Sequence, residues 1–165
     1  MTEAPIHIGV DPGLQHTGLA LWDGERLYGL RTTEAGRVLA YILREHPPET
    51  CVVHVEDPGL NRRLWYDNKG TGRQSGRRAL HVARSVGRNE GAARVIIQTL
   101  QQMGYTVHRR RPTRGGGTKL PADAFARLTE YEDRCSQHAR DAAMLVFGLR
   151  PYGGGGKQNK EESHD

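Results

Sequence analysis

Ile6-His7-Ile8-Gly9-Val10-Asp11-Pro12-Gly13, followed by Thr17-Gly18-Leu19-Ala20-Leu21-Trp22 and Asp23-Gly24, is the stretch that decides the fold. A short apolar run ends in a carboxylate and a Pro-Gly turn. A second run of similar length ends in Asp-Gly, a strong hairpin signal. The pattern predicts strands over 6–11, 17–22 and 26–31. Outward from this meander, a helix over 34–45 stops at Pro47-Pro48. Cys51 to Glu56 is nearly continuous apolar sequence, as a strand covered on both faces requires. Residues 57–74 mix Arg, Trp, Tyr, Asn and Gly without period and read as a loop. Leu80, Ala83, Val86, Ala93, Ile96, Ile97, Leu100 and Met103 then recur at spacings of three and four, apart from a gap near Glu90, and predict a long helix ended by Gly104. A fifth strand over 105–108, a basic Gly-rich loop over 109–118, a helix over 121–131 with Pro near its start and a last helix over 138–149 complete the order. Three antiparallel strands followed by alternating helices and strands predict an α/β fold, a mixed five-stranded sheet with helices on both faces.

The chain of 165 residues is long enough for one domain with a real core. We expect that domain over 1–150 and a disordered, Gly-rich and then polar tail over 151–165. The net charge of +5 is unevenly spread: residues 57–119 hold fourteen Lys or Arg against three Asp or Glu, a local balance of +11 that leaves −6 elsewhere. Such asymmetry points to a polyanion partner, nucleic acid first, over a merely solvated basic face. Cys51 and Cys135 cannot make a disulfide framework and fit a reducing compartment. No stretch approaches the ~18 apolar residues of a membrane span, and MTEAPIHIGVD lacks the form of a signal peptide, so a cytoplasmic location is expected.

Asp11 and Glu56 each end an apolar strand. A charge removed from water without a partner is costly or shifts its pKa. If the two strands are parallel neighbours, both carboxylates project from the carboxyl edge of the sheet, where ligand sites of open α/β sheets lie. His138 and Asp141 are three apart on the last helix and share a face, while Ala142, Ala143, Leu145, Val146 and Leu149 give that helix an apolar side for the sheet. Three carboxylates and an imidazole suit two Mg²⁺ or Mn²⁺ ions, with His138 either a ligand or the group that activates water. Each residue alone has a plainer reading: Asp11 and Glu56 as turn residues, His138 as a surface histidine, Asp141 as a partner of the helix dipole. Together they point to metal-dependent phosphoryl transfer.

Ile8-Gly9-Val10-Asp11-Pro12-Gly13 with Thr17-Gly18-Leu19-Ala20, then Val53-His54-Val55-Glu56, then His138-Ala139-Arg140-Asp141-Ala142-Ala143 resembles the RuvC-type Holliday-junction resolvases of the ribonuclease H-like superfamily, most nearly short phage- or prophage-type members. The likeness runs to about Leu149. It implies a homodimeric endonuclease that resolves four-way DNA junctions in recombination and repair with Mg²⁺ or Mn²⁺. It places the metal ligands on Asp11, Glu56, His138 and Asp141, and a basic catalytic group on Lys119. The segment after Glu56 departs from the pattern in being richer in polar and basic residues. There Arg62, Arg63 and Lys69 are expected on the phosphate backbone, and Trp65 or Tyr66 either stacks on a base or anchors the loop. Arg73, Arg77, Arg78, Arg84 and Arg88 along the long helix, with Arg109, Arg110, Arg111 and Arg114, extend the footprint. An actin-like phosphotransferase would need two such domains. A non-catalytic DNA-binding module has no use for four intact site residues. A nuclease acting on RNA/DNA hybrids is the near alternative.

Overall fold

The computed structural model describes residues 5–60, 73–112 and 119–151, and for 73–83, 85 and 86 the backbone alone. Its elements are β1 (Ile6–Asp11), β2 (Thr17–Trp22), β3 (Leu27–Thr33), α1 (Ala35–Glu45), β4 (Cys51–Glu56), α2 (Arg73–Gln102), β5 (Thr106–Arg110), α3 (Ala122–Thr129) and α4 (Gln137–Met144). They build one five-stranded sheet in the order β3-β2-β1-β4-β5. β1–β2 and β2–β3 are antiparallel, β1–β4 and β4–β5 parallel, as the order of elements predicts.

Side chains alternate across a strand, and the sheet separates two cores accordingly. Ile8, Val10, Leu19, Leu21, Val53 and Val55 face α1 and α2, where Val38, Ile42, Ile96 and Leu100 meet them. Ala20 and Trp22, alternating with Leu19 and Leu21, face Phe125, Ala142, Ala143 and Val146. The residues between the first set, His7, Gly9 and Asp11 on β1 and His54 and Glu56 on β4, therefore belong to the α4 face. The parallel register ends at Val10 against Val55, so Asp11 and Glu56 follow side by side.

Helix α4 comes unusually close to this face. A Cβ built on Gly9 would collide with the carbonyl oxygen of Ala142, and one on Gly18 with that of His138. Both glycines lie under α4, so main chain rests on main chain with no side-chain layer between. Ser136 caps the helix by accepting from Ala139 N at 3.1 Å, and its hydroxyl also bonds Thr32 of β3. Behind the helix, Trp22 Nε1 donates to Leu149 O at 2.7 Å.

Several boundaries differ from expectation. The last helix ends at Met144 rather than 149. The chain continues in tight three-residue turns through Leu145, Val146 and Leu149 to Gly148 in the left-handed region (φ 79°), although Val146 stays buried. β5 runs on through Arg109 and Arg110, because β4 supplies partners as far as Glu56; charge did not prevent pairing on a sheet edge. α2 already starts at Arg73, and Met103 at its end is exposed rather than core. The tail expected over 151–165 lies, beyond Pro151, outside the described residues.

Glycine seating makes a direct prediction. Gly18→Ala should destabilise the protein by about 1–3 kcal/mol, the usual cost of overpacking. Gly91→Ala, whose Cβ meets nothing within 4 Å in the middle of α2, should stabilise it by ~0.5–1 kcal/mol. Urea unfolding of the two variants reads the difference.

Candidate metal centre

Three elements deliver the four side chains. Asp11 and Glu56 come from the ends of β1 and β4, His138 and Asp141 from the first turns of α4. Asp11 Oδ2 and His138 Nδ1 are 2.8 Å apart. Asp11 is mostly buried and His138 half-exposed. The turn carrying Asp11 is closed by Thr17, which is fully buried; its hydroxyl accepts from Gly13 N at 3.2 Å and donates to Gly13 O.

The electrostatics describe a site with too much negative charge. Burial, then the Asp11 and Asp141 carboxylates, push Glu56 up to about 7, and the Lys119 ammonium only partly offsets them. Burial also raises Asp141, against a hydrogen bond from Gln137 Nε2 to its Oδ1 at 2.7 Å. The hydrogen bond to Asp11 raises His138, favouring its protonated form. Lys119 is exposed, and its charge acts on Glu56, His138 and Asp141 alike. The structure thus brings Asp11, Glu56, His138, Asp141 and Lys119 into one neighbourhood.

Oxygen donors from three carboxylates and one imidazole nitrogen are a fitting set for Mg²⁺ or Mn²⁺, and a divalent ion is the charge that the raised Glu56 lacks. Among the described residues no three His, Cys, Asp or Glu side chains already stand in a ligand arrangement. Instead His138 Nδ1 is engaged with Asp11, and Gln137 holds Asp141. Binding an ion would require His138 to let go of that bond or to lose its proton.

The basic residues divide. Arg84 and Arg88 are exposed on α2. That helix passes the sheet edge at Asn89 and Glu90, beside Gly13 and Gly59, and among its residues with described side chains the first buried one is Ala92. Residues 73–88 therefore run on beyond the site for roughly 24 Å at 1.5 Å per residue. Arg73, Arg77 and Arg78 are on this arm, their side chains outside the described set. Arg62, Arg63, Trp65, Tyr66, Lys69 and Arg114 also lie outside the described residues. Arg111 is exposed. Arg109 is engaged within the fold: its Nε donates to Asp57 Oδ2 at 2.6 Å, while Asp57 Oδ1 accepts from Gly59 N at 2.9 Å, which fastens the chain leaving β4 to β5. Arg110 is held by His54.

Two supporting residues escaped the sequence reading. Arg140 donates to Leu120 O at 3.2 Å, Cys135 O at 2.8 Å and Gln137 Oε1 at 2.9 Å, tying the residue after Lys119 to α4. His16, in the turn after Asp11, lies parallel to the His138 ring at 6.2 Å between centroids. Arg140 sits inside the His-x-x-Asp motif, which was the available signal; His16 had none.

No protein-family model matches the chain, and no curated protein matches it. Among solved structures it is similar to Thermus thermophilus RuvC in complex with a Holliday junction substrate, with a TM-score of 0.52 and 19% identity, covering 86% of this chain and 90% of that one. A second Thermus thermophilus RuvC structure aligns with a TM-score of 0.50 and 20% identity over the same shares. At these identities the likeness establishes the fold alone, a RuvC-like α/β arrangement.

The raised Glu56 makes stability depend on pH. Its folded pKa of about 7 lies above the ordinary 4.5, so its contribution is intact below pH 4.5 and is lost as pH rises through 7. In metal-free protein Glu56→Gln should melt a few degrees higher than the parent at pH 8 and at about the same temperature at pH 4. Added Mn²⁺ should stabilise the parent more than the variant. Calorimetric scans across this range test both.

Proposed function

We propose that this protein is a metal-dependent endonuclease that cuts branched DNA, with four-way junctions as its principal substrate. The observation that carries the reading is the convergence of Asp11, Glu56, His138 and Asp141 on one sheet edge, with a surplus of negative charge that a divalent cation relieves. Bound Mg²⁺ or Mn²⁺ would supply Lewis acidity and a water of lowered pKa. The chain's own residues do the rest. Asp11, Glu56 and Asp141 provide carboxylate oxygens, with Gln137 orienting Asp141. His138 ligates through nitrogen or carries a proton at Nδ1, where Asp11 now bonds it. Lys119 lends positive charge to a phosphate brought to the edge, and the α2 arm offers Arg84 and Arg88 to a backbone passing over it.

The four-way junction rests on the fold likeness to RuvC, whose Thermus thermophilus structure holds a Holliday junction substrate, and on the three motifs. Symmetric cutting of such a junction takes two sites, so the active form on this reading is a homodimer.

Asp11→Asn should lower the cleavage rate of a synthetic four-way junction at least ~100-fold while leaving gel-shift affinity within a few-fold, because it removes an ion ligand and not a phosphate contact. Near-parental cutting by Asp11→Asn refutes the metal assignment. A Mg²⁺ cleavage panel of four-way junction, three-way junction, flap, duplex and RNA/DNA hybrid should show the four-way junction cut fastest. Preference for the hybrid would move the protein to the neighbouring nuclease class. Junction affinity should also fall steeply with NaCl, by a slope of about 0.9 per phosphate neutralised; a flat dependence would remove the basic arm from the interface.

A further inference from the structure

Arg110 and Glu56 are paired across the parallel strands β5 and β4, so their side chains leave the same face of the sheet. Opposite charges in that position normally attract each other into an ion pair. Among the described residues Glu56 has no ion-pair partner, and the charges acting on it are those of Asp11, Asp141 and Lys119. Arg110 instead turns back along its strand to His54, with Nε at 3.2 Å and Nη2 at 3.1 Å from the imidazole Nδ1.

A guanidinium has donors only. His54 Nδ1 must therefore be a bare acceptor, and the ring is neutral with its hydrogen on Nε2. That nitrogen lies 3.0 Å from His7 Nδ1, which must accept in turn. His7 then carries its hydrogen on Nε2 and donates to Arg150 O at 2.8 Å. The hydrogen bonds run in one direction, from Arg110 through two histidines to main chain behind α4. Both rings are almost fully buried, His7 4% and His54 3% exposed.

We propose that His54, backed by His7, is a positioning residue that holds the Arg110 guanidinium away from Glu56, so that this carboxylate stays open to a divalent cation. The proposal rests on the metal reading of the preceding subsection. Without the hold, Arg110 swings to the carboxylate opposite it and competes with the ion for one of the three carboxylate ligands.

The test is Mn²⁺ binding by titration calorimetry, without DNA. His54→Phe keeps the ring volume and removes the acceptor; it should weaken Mn²⁺ binding about fivefold, the size of competition from one partly exposed ion pair. Arg110→Gln alone should stay within twofold of the parent. The double variant His54→Phe/Arg110→Gln should return to parental affinity, because the competing charge is gone. Unchanged binding in His54→Phe, or no recovery in the double variant, overturns the proposal. A parent that binds no Mn²⁺ defeats the metal reading itself, a different outcome from a parent that binds and variants that do not differ. A measurement on the parent needs no variant to fold: side-chain ¹⁵N spectra should show both His7 and His54 as neutral Nε2–H tautomers. A hydrogen on His54 Nδ1 would exclude the hold.

Discussion

Two glycines under one helix set the geometry of the site. Gly9 on β1 and Gly18 on β2 carry no side chain where α4 crosses, and the helix carbonyls of Ala142 and His138 occupy the space a methyl group would need. A residue with a Cβ at either place would lift α4 by part of a side-chain layer. His138 would then leave Asp11, 2.8 Å away, and Asp141 would withdraw from the sheet edge. The Ser136 cap, the Trp22 and His7 bonds to the segment behind the helix, and the three bonds from Arg140 all keep α4 in that seat.

The same closeness concentrates charge. Three carboxylates share a partly buried edge with one exposed lysine near them, and the consequence is a Glu56 that binds its proton into the neutral range. A fold left to optimise stability alone would have paired Glu56 with Arg110, its neighbour across the strands. The structure instead gives Arg110 to a neutral histidine and Arg109 to Asp57. The Arg109 and Arg110 guanidinium groups are thus committed elsewhere, and Glu56 has no ion-pair partner among the described residues. Such local frustration belongs to sites that await a charged ligand.

Much of this was legible in the chain. Strands β1, β2 and β4 fall where apolar runs and Asp-Gly or Pro-Gly punctuation place them, and the mixed sheet follows from element order. Asp11 and Glu56 were visible because a carboxylate at the end of an apolar run contradicts burial. His138 and Asp141 were visible through three-residue spacing. What escaped was whatever depends on distant partners. Arg109 and Arg110 read as free basic residues of a loop, because nothing local says that β4 extends the ladder to them or that Asp57 and His54 wait there. Arg140 had no role of its own in the motif, yet its guanidinium bonds Leu120 from twenty residues away. His7 and His54 lay within runs read simply as apolar, and nothing local shows that the two rings meet.

The sequence by itself determined the alternation: Ile8 and Val10 on one side of β1 with His7, Gly9 and Asp11 on the other, and Val53 and Val55 on one side of β4 with His54 and Glu56 on the other. That follows from the two-residue period of a strand, a local property. Only the tertiary structure decided which charges meet. Hydrogen bonds and ion pairs act over about 3 Å, and the partners concerned are separated by 52 residues for Arg109 and Asp57, 56 for Arg110 and His54, and 127 for His138 and Asp11. Strand register and the glycine seat of α4 bring them together, and neither is written in any one segment of the chain.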